Sequence, residues 1–191
     1  MRFEDGSTMR LYRQTVEDFG LYPGRELSQE ELKKLRSAAG AMSAKMRAVR
    51  IVSATNVSAK DLEQRLIRKG EDPQQAKAAV NWMEDLFLID DRQTARQVVE
   101  SCVRKGYGLS RAKQALYEKR IPREYWAEAL EDYPDQLDAI SSFLRSRLHG
   151  DWTEKDLKKA IDALIRRGHS YGVIRRALET LSVDTDELPE D

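Results

Sequence analysis

Leu66-Ile67-Arg68-Lys69-Gly70, Leu116-Tyr117-Glu118-Lys119-Arg120 and Leu164-Ile165-Arg166-Arg167-Gly168 are three versions of one phrase. Their leucines stand 50 and then 48 residues apart (66 to 116, 116 to 164). Each phrase closes an apolar-basic run. Each is followed by a second run with helical spacing, at 76–86, 125–133 and 171–181. A near-constant offset is the mark of tandem structural units, in which each unit leaves an apolar face for its neighbour to cover.

The segments around the phrases read as helices. Leu62, Leu66 and Ile67 fall on one face, as do Ala76, Val80, Met83 and Phe87. Leu157, Ile161, Leu164 and Ile165 share a face, and so do Ile174, Leu178 and Leu181. These are three- and four-residue steps. Nine helices follow, in three triplets: 41–54, 59–69 and 73–86; 92–105, 111–119 and 122–132; 135–148, 154–167 and 171–181. Start signals support them. Ser58 stands three residues before Asp61, and Asp72 precedes Pro73 at a first helical position, where its missing N–H is harmless. Asp91 and Ser110 are natural caps, Pro122 and Pro134 flank helix starts, and Thr153 stands three residues before Asp156. Connections of two to five residues press each helix against the next.

The first 40 residues differ. Asp5-Gly6 suits a tight turn between short extended segments, which predicts a small β-hairpin. Tyr22-Pro23-Gly24 reads as a turn. Ser28 and Glu31 form a capping box that opens a helix, with Gly40 as its stop. The expected organisation is an N-terminal extension (1–40), three-helix repeats at 41–88, 89–133 and 134–182, and an acidic tail (183–191).

Composition narrows the function. Charged residues make up 35% of the chain and aromatics 7%, which suits a solvated helical array better than an enzyme with a deep core. The net charge is zero, with 33 basic and 33 acidic residues. Five of the acids lie at Asp184, Asp186, Glu187, Glu190 and Asp191, so residues 1–183 carry 33 basic against 28 acidic groups, or +5. That excess is too small to indicate a nucleic-acid binder by itself. The lone cysteine, Cys102, reads as a small buried hydrophobe. No apolar run is long enough to span a membrane and no signal peptide is evident, so a cytoplasmic location is the default expectation.

No constellation for chemistry is apparent. His149 and His169 are isolated, and phosphate loops and nucleophile elbows are missing. Asp90-Asp91 reads as an acidic helix start. Trp82, Trp126 and Trp152 read as packing residues. An enzyme is not expected, nor a cofactor or metal. The basic residues are more informative. Arg65, Arg68 and Lys69, then Arg104 and Lys105, then Arg166 and Arg167 end helices, where cations favour the dipole by about 0.3–1 kcal/mol each. Arg111, Lys113, Arg175 and Arg176 hold matching places in the helices that follow. Stacked repeats would line these side chains into one partner-binding basic stripe.

The same residues resemble the RecX family of recombination regulators across about 41–182. The likeness runs through Val52-Ser53, Ser58, Asp61-Leu62, Leu66 and Lys69-Gly70, then Leu88-Ile89-Asp90-Asp91 and Ala95. It continues through Arg104-Lys105-Gly106, Leu116, Lys119 and Ile121, and ends with the phrase at Leu164, Ile174 and Leu178. There are departures. Thr55 and Val57 stand where the family has Arg, and Thr94 replaces an aromatic. Phe87 replaces a Gly, which implies loss of the left-handed helix cap there; Arg120 likewise replaces a Gly.

The resemblance implies an all-α protein of three tandem three-helix repeats in an elongated, curved array. It implies a non-catalytic regulator that binds the RecA nucleoprotein filament and inhibits its recombinase, ATPase and co-protease activities. It implies a monomer with no cofactor, touching DNA weakly or through the filament. The competing expectation is a direct DNA-binding helical protein using helix-turn-helix-like repeats.

Overall fold

The computed structural model describes residues 1–181. The acidic tail lies outside the described residues. All the regular structure described is helical: α1 (Arg13–Asp18), α2 (Gln29–Ala54), α3 (Ala59–Arg68), α4 (Pro73–Asp85), α5 (Asp91–Arg104), α6 (Leu109–Glu118), α7 (Trp126–Leu130), α8 (Leu137–Arg147), α9 (Glu154–Arg166) and α10 (Tyr171–Thr180). None of the described helices is long and apolar enough to cross a membrane. The chain divides into two compact units, Met1–Asp90 and the residues from Asp91 onward.

In the first unit the expected hairpin shrinks to a single antiparallel bridge, Arg2 to Thr8, around Gly6 at φ +83°. So short a ladder has no third strand to lean on, and isolated two-stranded pairs are marginal in water. Ser28 does form the capping box: its Oγ accepts the Glu31 N–H (3.2 Å), and Glu31 Oε2 accepts the Ser28 N–H (2.8 Å). Those bonds hold the Glu31 carboxyl below its usual range. Arg25 ties the extension down. Its guanidinium donates to the Phe19 and Gly20 carbonyls at the end of α1 and to Glu31 Oε1 (3.1 Å).

Gly40 does not stop the helix. A glycine terminates a helix by turning left-handed, and Gly40 keeps ordinary helical backbone. Ala38, Ala39, Ala41 and Met42 around it are strong helix formers. The two expected helices therefore fuse into the 26-residue α2. This helix packs on α3 and α4 around Ala44, Ala48, Val57, Leu62, Leu66, Ala76, Ala79, Val80, Met83 and Ile89. The alanines allow close approach of helix axes. Leu62 and Leu66 are fully buried, which contributes about 1.5–3 kcal/mol each.

From α5 on, α5–α7 enclose Ala95, Val99, Leu116 and Ile121, and α8–α10 enclose Ile140, Leu144, Ile161, Leu164, Ile174 and Leu178. Four elements start or run differently from expectation. The 122–132 segment is a 3₁₀ turn (Arg123–Tyr125) running into the short α7, with Trp126 Nε1 donating back to the Ile121 carbonyl (3.1 Å). Helix α8 begins at Leu137 because Gln136 is left-handed (φ +61°), and its side chain donates to the Val103 carbonyl (3.3 Å). Asp91 is the first residue of α5, and Ser110 lies inside α6.

The repeated phrase turns out to be one kind of helix end. In α3, α6 and α9 the carbonyls of Leu66, Leu116 and Leu164 accept the N–H five residues on, from Glu71 (3.1 Å), Ile121 (3.1 Å) and His169 (3.2 Å). All three leucines are buried. Helices α4 and α5 close the same way, through Leu88 to Met83 (2.9 Å) and Tyr107 to Cys102 (3.0 Å). This closure needs a left-handed residue just past the helix. Gly70, Gly106 and Gly168 supply it, and so do Phe87 (φ +56°) and Arg120 (φ +55°). The left-handed cap expected to be absent at Phe87 is thus present. It persists without glycine at a strain of about 1–2 kcal/mol per residue.

Candidate functional site

The best-built surface feature of the second unit is a seam between two helix ends. The turn that closes α5 (Lys105–Gly108) lies against the turn that closes α9 (Arg167–Ser170). The Gly108 N–H donates to the Arg167 carbonyl (2.9 Å), and the Ser110 N–H donates to the Gly168 carbonyl (3.2 Å). The second bond satisfies one of the orphan donors at the start of α6. This is why Ser110 need not act as the cap expected of it: Gly108 holds the N-cap position and a distant carbonyl does the capping.

Only glycine fits here. A Cβ on Gly108 would lie 2.0 Å from the Gly168 oxygen, and one on Gly168 would lie 2.3 Å from the Arg111 nitrogen. Three side chains reinforce the packing around these turns. His169 Nε2 lies 3.0 Å from the Gly106 carbonyl; since a carbonyl only accepts, Nε2 carries the hydrogen. The Tyr133 hydroxyl donates to the Tyr107 carbonyl (2.6 Å), and Gln136 holds Val103 as above. Burial pushes the Tyr133 phenol up to about 12. It also lowers the His169 imidazole, with Arg167 adding to the effect and the Gly106 carbonyl opposing it.

The seam gathers cations. Lys105 and Arg167 border the two turns, and Arg111 backs Gly168. Lys105 and Arg111 both act on the Cys102 thiol, where burial is the larger effect and raises its pKa. The Arg167 guanidinium stands 4.5 Å from the Phe143 ring centre, and Arg147 stacks over the same ring at 5.5 Å. The ring's negative face helps hold two like charges together. Arg147 was not among the residues singled out from the sequence. Its position four residues after Phe143 on a helix was the available signal.

The expected stripe is only partly assembled. Lys105, Arg111 and Arg167 come together, with Arg166 exposed beside them at the end of α9. Arg111 also pairs with Glu118 (3.1 Å). Lys113 is exposed on α6. Arg104 instead lines a groove of about 460 Å³ with Val99, Val103 and Tyr133, where Glu100, Glu128 and Asp132 give mixed charge. Glu128 is itself held by Arg92 (2.7 Å) and Arg96, which keep its carboxyl low. Arg176 is paired with Asp135 (3.1 Å), and Arg175 is half-buried in α10. In the first unit Arg65 pairs with the buried Asp61 (2.9 Å), while Arg68 and Lys69 are exposed at the end of α3. Pairing and burial, not stacking alone, decide which cations face solvent. Two of the three tryptophans read as packing residues carry cations: Lys45 lies over Trp82 (5.0 Å) and Arg123 over Trp126 (5.1 Å).

Comparison with known proteins agrees with the fold. Residues 90–130, which contain α5 and α6 and reach the end of α7, match the family model for the second three-helix domain of RecX. Regulatory protein RecX of Stenotrophomonas maltophilia (strain R551-3) is 30% identical over 123 residues, covering 63% of this chain and 76% of that protein. The chain belongs to the RecX family. The RecX protein of Clostridioides difficile (strain 630) is 26% identical over 184 residues, covering 93% of this chain and 86% of the relative. A crystal structure of regulatory protein RecX superimposes with a TM-score of 0.71 at 18% identity, over 93% of this chain and 92% of that one, which shows the shared RecX fold. These RecX relatives are named as regulatory proteins.

Proposed function

We propose that this RecX protein is a non-catalytic regulator that binds the RecA nucleoprotein filament and lowers its recombinase, ATPase and co-protease activities. It acts as a cytoplasmic monomer without a cofactor, and it reaches DNA through the filament. The observation that carries this reading is the seam, on a chain of the RecX family: Lys105 and Arg167 border turns locked by backbone hydrogen bonds, Arg111 on α6 backs Gly168, and Arg147 at the end of α8 shares the Phe143 ring with Arg167. Rigid presentation of several cations favours a surface of acidic side chains and phosphates, because little side-chain order is lost on binding. The triplets α2–α4, α5–α7 and α8–α10 serve as repeats, each adding a weak contact to a repeating filament, so that avidity replaces single-site affinity. Arg68, Lys69, Arg104, Lys113, Arg166 and Arg175 are secondary contacts. Arg65 and Arg176 contribute less, because their charges are already paired, and Arg111 shares its charge with Glu118 in the same way.

The test is DNA-dependent ATP hydrolysis by the cognate RecA, with this protein added below the RecA concentration. Strong inhibition by the wild type and its loss in a Lys105→Glu, Arg166→Glu, Arg167→Glu variant of unchanged helicity is the expected result. Inhibition that survives the triple reversal would remove the seam from the account. Direct DNA binding is the competing reading, favoured by Lys113 and Tyr117, both exposed one turn apart on α6. It predicts RecA-independent affinity that falls steeply with salt.

A further inference from the structure

The cations of the seam outnumber the acids that answer them. Lys105, Arg147, Arg166 and Arg167 are exposed, and none of the four forms an ion pair with a carboxylate among the described residues. Arg147 and Arg167 face one Phe143 ring, which attracts both guanidiniums and neutralises neither. The chain does hold unmatched acids. Asp184, Asp186, Glu187, Glu190 and Asp191 follow one another without a basic residue between them, outside the described residues. Helix α10 sets the distance between the two groups. It starts at Tyr171, directly after the seam turn, and its 10 residues span about 15 Å at 1.5 Å per residue. An extended chain rises at most about 3.3–3.6 Å per residue, so from Leu181 the reach is about 10 Å to Asp184, about 17 Å to Asp186 and about 35 Å to Asp191. The acids from Asp186 onward therefore reach back along α10 to the turn, and Asp184 does not.

We infer that the seam is the docking surface of the chain's own acidic segment, residues 186–191, which lies on Arg147, Arg166 and Arg167 in the free protein and leaves when a partner's phosphates or carboxylates take its place. The docking rests on the seam and on the charge of the segment; its regulatory consequence rests on the proposed function. The remaining cations of α9 and α10 are poorer hosts. Lys155, Lys158 and Lys159 stand among Asp151, Glu154, Asp156 and Asp162, and Lys159 already pairs with Asp156 (3.3 Å). Arg176 is held by Asp135, and Arg175 is half-buried with an interaction of its own. Exposed ion pairs are individually weak. A tethered segment nevertheless acts at an effective concentration in the millimolar range, so weak pairs suffice to compete with an external ligand. Salt screens such pairs, because the Debye length falls to about 3 Å at 1 M.

The experiment compares full-length wild type with a full-length variant carrying Asp186→Asn, Glu187→Gln, Glu190→Gln and Asp191→Asn, which removes charge and keeps side-chain size. The first reading needs no partner. Nuclear magnetic resonance follows the amides of Gly106, Gly108 and Gly168 and the Nε–H groups of Arg147, Arg166 and Arg167, at about 0.05 M and about 1 M salt. These signals should differ between the two proteins at low salt and coincide at high salt. The second reading is affinity for RecA filaments on single-stranded DNA at low salt, where the variant should bind roughly 3- to 10-fold tighter. Identical seam signals at low salt would overturn the docking and leave the regulator reading standing. Differences confined to Lys155, Lys158 and Lys159 would overturn it by moving the host. Differences that grow with protein concentration would overturn it by assigning the acids to a second copy. Equal filament affinity of the two proteins would overturn the regulatory consequence. Seam signals that differ as expected, with neither protein binding the filament, would support the docking and overturn the proposed function.

Discussion

Substituting Gly108 by Ala tests the seam most directly. Gly108 has φ −77° and ψ 167°, backbone that alanine adopts freely, so the conformational penalty is nil and the effect is purely steric. The new methyl would lie 2.0 Å from the Gly168 oxygen, 2.2 Å from its carbonyl carbon and 2.4 Å from the His169 nitrogen. All three are backbone atoms that cannot swing aside. The two turns must part by at least about 1 Å, the difference between 2.0 Å and the 3.0 Å that real Cβ contacts respect. That displacement breaks or stretches the Gly108–Arg167 and Ser110–Gly168 bonds and the His169–Gly106 bond. At about 0.5–1.5 kcal/mol each, the loss sums to roughly 2–4 kcal/mol. A chain of 191 residues shifts its midpoint by roughly 2–4 °C per kcal/mol, so Gly108→Ala should melt roughly 4–16 °C lower by far-ultraviolet circular dichroism. A midpoint within about 2 °C of wild type would refute the argument that the turns are in backbone contact.

Other outcomes follow from the same geometry. Gly40→Ala should raise stability by about 0.5–1 kcal/mol, since Gly40 sits mid-helix and the nearest atom to a new methyl is Gln75 Cγ at 3.8 Å; a denaturant melt reads this. Glu71 is buried and accepts from Ser43 Oγ (2.9 Å) and Arg47 Nε (2.7 Å), so Glu71→Gln should cost about 1–2 kcal/mol. In the same denaturant series Glu17→Gln, which breaks a largely exposed pair with Arg13, should cost about 0.5 kcal/mol or less. The lowered pKa of His169 means the unfolded chain takes up its proton first. Stability from this residue is complete above the unfolded value of about 6.5 and declines as the pH falls below it; His169→Gln should flatten that decline in melts between pH 5 and 7.

Much of the helical order was legible because its signals are local. Ser28 and Ser58 cap their helices with the hydroxyls that their spacing to Glu31 and Asp61 implied, at 3.2 and 3.1 Å. Asp72 accepts from both Gln74 and Gln75 ahead of Pro73. The recurrent leucine phrase marked helix ends correctly, yet its reach was wider than glycine counting suggested. Phe87 and Arg120 complete the same closure because the bonds to Glu84, Met83, Tyr117 and Leu116 outweigh the strain of the left-handed residue. At Gly40 the opposite happened. A glycine read as punctuation was absorbed into a helix by the formers on both sides of it.

The candidate site was less legible. The basic residues were correctly placed near helix ends, but their partners lie far along the chain. Arg176 meets Asp135 41 residues away, and Arg92 meets Glu128 36 residues away. Arg147 joins the seam through a shared ring that no charge pattern identifies.

The sequence by itself determined most of the helices, most of their caps and the buried leucines. Each of these depends on interactions within about five residues, and their period survives in one dimension. Only the tertiary structure decided that Gly108 and Gly168 touch, that three of the expected contact residues lie along one seam, and that Phe87 stands out in solvent. Those facts depend on how closely backbones 60 residues apart can approach, as at Gly108 and Gly168. Close packing settles that distance, and no spacing in the chain encodes it.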